Sequence, residues 1–288
     1  MNPFLPQVSI VVLNYNGEDC LLACLRSLWN ISYDNYSVLI VDNGSTDNSL
    51  EEAKKEFPAF AYLSLPKNRG FAGGMNEGIR VAEKEGAAWV WLLNNDAVVE
   101  NDCLSLLMET ATLNTRRIGA LSPVIYESQT DKLWFGKGKI DFLRMRVVHE
   151  EPTAKETTET FYPSAFLTGC ALLINAKVFE IIGTLDEAFF LYYEDADFCL
   201  RLKKAGWERL VVPAAKVFHA EKSRINPLKI YHLVFSGLLF FRKHASPTGR
   251  IYYWVYVTIR KIKNSIDIWR GRDEARSVRR AYDDFCHD

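Results

Sequence analysis

The chain has 288 residues, 48% of them hydrophobic and 25% charged, a balance that excludes a disordered or fibrous protein and suits one sizeable core. Its net charge of −1 hides an asymmetry: 14 Lys or Arg face 3 acids between Lys222 and Arg280, a local +11, while residues 1–221 carry 21 basic and 30 acidic residues. Such a cationic tail seeks anionic partners, and its interleaved aromatic residues favour a membrane surface over nucleic acid.

Along the chain, the β-branched run Val8–Leu13 reads as a buried strand, followed beyond Gly17 by a helix with Leu21, Leu22, Leu25 and Leu28 on one stripe. Val38–Val41 is a second buried strand; it ends in Asp42-Asn43-Gly44-Ser45, and Asp47 is placed to cap a helix through Phe57. A third strand covers Ala61–Leu65, a helix Gly73–Glu85, a fourth strand Ala88–Leu93, a helix Asp102–Asn114, and a fifth strand runs through Leu121. This alternation, with short loops, predicts an α/β fold: a doubly wound, mostly parallel sheet with helices on both faces.

In such sheets ligands bind beyond the carboxyl ends of the strands. Four polar clusters stand at such ends: Asn14-Tyr15-Asn16, Asp42 to Ser45, Lys67 to Gly70, and Asn94-Asn95-Asp96. Any one of them is ordinary turn chemistry; together they point to one crevice.

The second half is less regular. Residues 126–163 form a charged insertion with a hairpin around Trp134–Val148, expected to shape an acceptor side. Phe166–Ile174 reads as another buried strand, and a helix around Ala176–Ile182 follows. Glu194, Asp195 and Asp197 crowd the start of a helix, with Arg201 one turn beyond Asp197. Three acids in four residues exceed what helix capping requires, and mutual repulsion raises at least one pKa toward that of a useful base.

Ile230–Phe241 and Ile251–Ile259 are apolar and aromatic, too short to span a bilayer, and each is followed by basic residues. That combination suits a helix lying in a membrane interface, with an ordinary helical hairpin as the simpler alternative. Two segments are therefore expected: 1–222, a catalytic domain, and 223–288, a basic helical tail reaching an anionic membrane. The six cysteines have no zinc-site spacing and read as reduced thiols. With no signal-peptide pattern at the start, a cytoplasmic location, peripheral on the inner face of the cell membrane, is expected.

The strings Val11–Asn16, Val41–Asp47, Asn68–Asn76, Leu92–Asp96, Tyr193–Asp197 and Phe218-His219, in this order, resemble family 2 of the inverting glycosyltransferases, which have the GT-A fold. Within it the chain is similar to the bacterial rhamnosyltransferase and galactofuranosyltransferase group. The resemblance covers about residues 7–222 and implies transfer of a sugar from a nucleotide-diphosphate donor, dTDP-rhamnose or a UDP-sugar. The acceptor would be a hydroxyl of a glycan or lipid-linked glycan in surface polysaccharide synthesis. It implies Asp195 as the base, paired with Glu194, and Asp96 as a ligand of Mg²⁺ or Mn²⁺, which oxygen donors suit. His219 is implied as a further ligand.

Asp42 resembles the residue that reads a pyrimidine, with Asn14 lining the same base pocket. Arg69 would offer a charged fork to the diphosphate or base, oriented by Asn68, and Gly73 with its neighbours would bring backbone close to the donor sugar as Asn76 begins a helix. Asn94 and Asn95 stand where the family more often has an acid, and they join the donor-binding set. Two other readings compete: a sugar nucleotidyltransferase, whose loop after the first strand is normally rich in Gly and Lys, and an inactive binding module of the same fold. The acidic Asn14–Asp19 loop opposes the first, and the retained Asp96 and Glu194-Asp195 oppose the second.

Overall fold

The computed structural model describes residues 5–113, 116–128, 130, 132–220 and 226–287. The first half follows the expected alternation: β1 (Val8–Asn14), α1 (Leu21–Trp29), β2 (Tyr36–Asp42), α2 (Ser49–Glu56), β3 (Ala61–Ser64), α3 (Gly70–Lys84), β4 (Trp89–Asn94), β5 (Ala97–Val99), α4 (Cys103–Ala111) and β6 (Ile118–Glu127). Then come β7 (Leu133–Phe135), β8 (Lys137–Asp141), β9 (Arg146–Glu150), β10 (Tyr162–Pro163), β11 (Ala171–Asn175), α5 (Phe179–Ile182), α6 (Glu194–Lys204) and β12 (Glu208–His219). Three helices close the chain: α7 (Pro227–His244), α8 (Pro247–Trp269) and α9 (Ala275–His287).

The main sheet has the order β10-β12-β6-β11-β4-β1-β2-β3, with β5 on β12 and β7 on β6. Strands β1 to β4 are parallel, whereas β11 runs antiparallel to both β4 and β6. Every residue of β1 is buried, as continuous apolar runs covered on both faces should be. The expected fold class therefore stands, with β8 and β9 forming a separate hairpin.

Several local expectations need correction. Helix α3 starts at Gly70, so Asn76 lies inside it rather than beginning it. A side chain at Gly74 or Gly78 would collide with Leu13 or Val11, so these glycines let the helix lie close on the sheet. Asn48, not Asp47, precedes the first residue of α2, while Asp47 Oδ1 accepts from the Ser49 backbone N–H at 3.2 Å. The strand expected over Phe166–Ile174 is confined to β11, and α4 ends at Ala111; the expected end at Asn114 lies outside the described residues.

The boundary expected at 222/223 also lies outside the described residues. Beyond it, α7 does not stand apart: Leu238, Phe240 and Phe241 join the same hydrophobic core as the sheet. Tyr253 and Val257 of α8 and Tyr282 and Phe285 of α9 extend that core.

Candidate active site

The ends of β1, β2 and β4 are tied together by one buried side chain. Asn14 Nδ2 donates toward Asp42 Oδ1 at 3.0 Å, Ser49 Oγ at 2.8 Å and Ser45 Oγ at 3.2 Å, while its Oδ1 accepts from Asn95 Nδ2 at 2.9 Å. Asn14, expected in a base pocket, is fully buried and is not on the wall of the adjoining cleft; its side chain ties these loops together. Asp42 is likewise buried, and its Oδ2 accepts the Ser45 N–H at 3.2 Å, which fixes the turn after β2.

Beside this hub lies a cleft of about 550 Å³, lined among others by Asn16, Asn43, Asn68, Asn94, Asn95 and Asp96. Asn68 Oδ1 accepts from Gly70 N–H at 2.8 Å and from Asn43 Nδ2 at 3.1 Å, which fixes the start of α3. Arg69 departs from its expected place. Its guanidinium is held by Glu77 and, at 3.0 Å, by Glu187, and it lines neither this cleft nor the cavity beyond it. Gly73 packs beside the Arg69 side chain inside α3 and is absent from both walls as well.

Asp96 follows β4 in the tight turn to β5. Because β5 pairs antiparallel with β12, His219 is registered against Ala97, next to Asp96. The Ala220 N–H donates to the Asp96 carbonyl at 2.9 Å and locks this corner. Asp96 Oδ1 is buried, accepts no hydrogen bond among the described residues, and stands 3.1 Å from His219 Nε2 without hydrogen-bond geometry. Two neighbouring ligands of an octahedral ion bound at about 2.1 Å would stand about 3.0 Å apart, so this oxygen–nitrogen pair fits a divalent cation. Among the described residues no third acid, His or Cys joins them.

A second cavity, about 360 Å³, adjoins the cleft and shares Phe71, Asn94, Asp96, Leu191 and Lys229 with it. Glu194 and Asp195 line its far side. They open α6 after Tyr192 and Tyr193, whose φ angles of 69° and 70° are costly for bulky side chains. Helix α7 holds that turn: Ser236 Oγ donates to the Leu191 carbonyl at 2.8 Å, and Tyr193 packs 5.3 Å from the Phe240 ring.

The two carboxylates are not equivalent. Asp195 is half-buried; its Oδ2 accepts from Gly169 N–H at 2.9 Å and its Oδ1 from Ala196 N–H at 2.7 Å. Burial pushes its pKa above the ordinary carboxylate value, while those N–H groups and His149 pull the other way. Glu194 is buried with an oxygen that meets no donor, and burial, reinforced by the Asp195 charge, raises its pKa well above normal. Asp197, one turn on, points elsewhere and belongs to α6 and α7 rather than to the cavity.

Sequence reasoning missed Trp134, His149 and Lys229. Trp134 packs against the His219 ring at 4.5 Å between centroids, and the His149 ring nitrogen Nδ1 lies 3.0 Å from the Trp134 carbonyl oxygen. Both line the second cavity. Lys229, read from sequence only as tail charge, stands where the two spaces meet.

Known proteins resemble the chain in sequence and in fold. The family described as Glycosyl transferase family 2 matches residues 9–183. The N-acetylglucosaminyl-diphospho-decaprenol L-rhamnosyltransferase of Mycobacterium tuberculosis is 29% identical over 230 residues, covering 73% of this chain and 75% of that protein. The dTDP-rhamnosyl transferase RfbF of Shigella flexneri is 25% identical over 248 residues, covering 82% and 80%.

Among solved structures, GalNAc-T7 with UDP, GalNAc and Mn²⁺ superposes with a TM-score of 0.71 at 17% identity over 90% of this chain; the chain spans 51% of that structure. The mannosyltransferase PcManGT of Pyrobaculum calidifontis with GDP-Man and Mn²⁺ gives 0.61 at 17% identity, over 86% of this chain and 67% of that one. These likenesses establish the GT-A fold.

Proposed function

The chain belongs to glycosyl transferase family 2, and from that premise we propose that it transfers a sugar, with inversion, from a nucleotide-diphosphate donor to a hydroxyl of a lipid-linked glycan. The donor is dTDP-rhamnose or a UDP-sugar. The observation that carries this reading is the pairing, across one cavity, of Glu194-Asp195 with the Asp96–His219 corner beside an asparagine-lined cleft. The similar rhamnosyltransferases of Mycobacterium tuberculosis and Shigella flexneri favour rhamnose among the donors, and the first of them a diphospho-polyprenol acceptor.

In this reading the donor diphosphate lies along the cleft toward Asp96, and the sugar projects into the second cavity. Asp195 is placed there by two backbone N–H groups and keeps lone pairs for a proton. It removes the proton of the acceptor hydroxyl as that oxygen attacks the anomeric carbon from the face opposite the diphosphate. The new carbon–oxygen bond forms while the bond to the phosphate oxygen breaks, and the electron pair leaves with the nucleoside diphosphate.

Asp96 and His219 would hold Mg²⁺ or Mn²⁺, which when bound neutralises charge on the departing diphosphate. Lys229 adds a cation at the same junction. Burial, reinforced by the Asp195 charge, favours the protonated form of Glu194. The hub at Asn14 costs no reorganisation during the reaction, because its hydrogen bonds exist beforehand.

Calorimetric titration with UDP, dTDP and GDP, each with and without Mn²⁺, tests the donor half of the reading. One pyrimidine diphosphate should bind in a Mn²⁺-dependent way, and Asp96→Ala should abolish that dependence. Equal binding with and without Mn²⁺ would remove the metal from the scheme.

A further inference from the structure

The tail carries a second surface that the transfer site does not use. Helix α8 is 23 residues long, about 35 Å. Its inner face, Tyr253, Val257 and Asn264, is buried. The opposite face is apolar and open to solvent: Ile251, Val255, Ile259, Ile262, Ile266 and Trp269 recur at spacings of three and four residues, with Ile251 72% and Trp269 85% exposed. A soluble monomer rarely leaves so long an apolar stripe uncovered. At 100° per residue, Lys263 and Arg270 fall along one border of this stripe. Among the described residues no helix is long and apolar enough to cross a membrane.

The stripe continues onto the hairpin. Tyr252 Oη donates to the Leu143 carbonyl at 2.5 Å and Tyr256 Oη to that of Arg144 at 3.1 Å, which fastens the tip of β8–β9 to α8. At that tip Phe142 and Leu143 are exposed, Leu143 by 76%, beside Arg144 and Arg146. The same hairpin descends to Val147 and His149 on the wall of the Glu194-Asp195 cavity. From Arg146 to His149 the strand β9 runs about 10 Å away from this tip.

We propose that the outer face of α8 and the β8–β9 tip together form a docking surface for an anionic lipid bilayer, which seats the second cavity at the depth reached by a lipid-borne diphospho-sugar. The partner follows from the surface itself. Apolar side chains enter the interface while Lys263 and Arg270 beside the stripe and Arg144 and Arg146 at the hairpin tip meet lipid phosphates, a pattern unsuited to a purely apolar protein groove. This proposal takes its lipid-linked acceptor from the function proposed above, but the docking surface stands on its own geometry.

Flotation of the full chain with vesicles of equal parts phosphatidylcholine and phosphatidylglycerol tests it. Binding is expected at low salt, weaker at high salt and on pure phosphatidylcholine. Ile259→Glu with Ile262→Glu should weaken binding at least about tenfold with an unchanged thermal melt, since both side chains face solvent. No binding by the native chain, or equal binding by the double variant, would overturn the proposal. So would a native dimer in sedimentation that the double variant turns into a monomer, because the stripe would then be covered by a second copy. Nucleoside diphosphate titration separates the two readings. Donor binding without vesicle binding sinks the docking surface alone; vesicle binding without donor binding sinks the transferase reading and leaves the surface.

Discussion

Helix α6 begins with two acidic neighbourhoods that differ in the side chains around them. Asp197 is fully buried, yet Arg201 reaches its Oδ2 at 2.8 Å, and Lys243 and His244 reach its Oδ1 at 2.6 and 2.8 Å. Burial alone would raise its pKa, but these partners hold it down at about 2. Glu194 and Asp195, three and two residues earlier, meet no such cage, and burial raises both. One short helix thus carries a permanently charged clasp and a pair poised to exchange a proton. Cations supplied by α7 decide which is which.

The largest expected effect comes from breaking the clasp. Asp197→Ala would leave Arg201, Lys243 and His244 around a buried vacancy, and loss of a buried partner costs about 3–5 kcal/mol. Urea denaturation should show this as a lower midpoint, with turnover per folded molecule far less affected. If stability were unchanged, the clasp would not join α6 to α7 energetically. The sign with pH follows from the lowered pKa: the Asp197 contribution is complete above the ordinary Asp value and is lost as pH falls through about 2.

Next comes the poised pair. Asp195→Asn should bind nucleoside diphosphate as the native chain does, yet turn over at least about 100-fold more slowly, the lower range for a lost general base. Near-normal turnover would remove Asp195 from that role. A smaller effect is expected at Glu194. Its raised pKa means that it stabilises the fold below the unfolded Glu value and that this contribution disappears as pH rises through the folded one. Glu194→Gln should therefore melt above the native chain at alkaline pH, and the gap should close toward pH 4. A gap independent of pH would show that packing, not charge, is responsible.

The same contrast explains what could be read from the sequence. Strands β1, β2 and β4 were legible because buried parallel strands are continuous apolar runs with polar residues at their ends. Strand β12 was not. Its Pro213 and Lys216 interrupt the pattern, and a register shift against β6 falls at the same place. The start of α3 was masked by Gly70, Gly73 and Gly74, residues of low helix propensity that here pack closely, Gly70 against Phe190 and Gly74 against Leu13 of β1.

Asp96, Glu194, Asp195 and His219 line one cavity. Arg69 does not, because Glu187 lies 118 positions away and no local pattern announces the pairing. Trp134 and His149 escaped notice for the same reason. Their importance comes from the hairpin folding back over β12, a tertiary event.

His149 provides the finest test of the comparison, because it is the nearest counterpart, for Asp195, of the cations that cage Asp197. Its charge lowers the Asp195 pKa, against the larger upward push of burial. The base must be ionised to accept a proton, so kcat/KM should fall on the acid side with a limb above the ordinary carboxylate range. His149→Gln removes the charge and keeps a polar side chain of similar reach. The limb should then move to higher pH, while turnover well above it changes by less than about tenfold. Asp195→Asn should abolish the limb in both backgrounds. If His149→Gln lowers turnover equally at every pH, His149 touches the acceptor rather than tuning the base. If neither the limb nor the rate moves, the two acidic neighbourhoods of α6 differ through α7 alone.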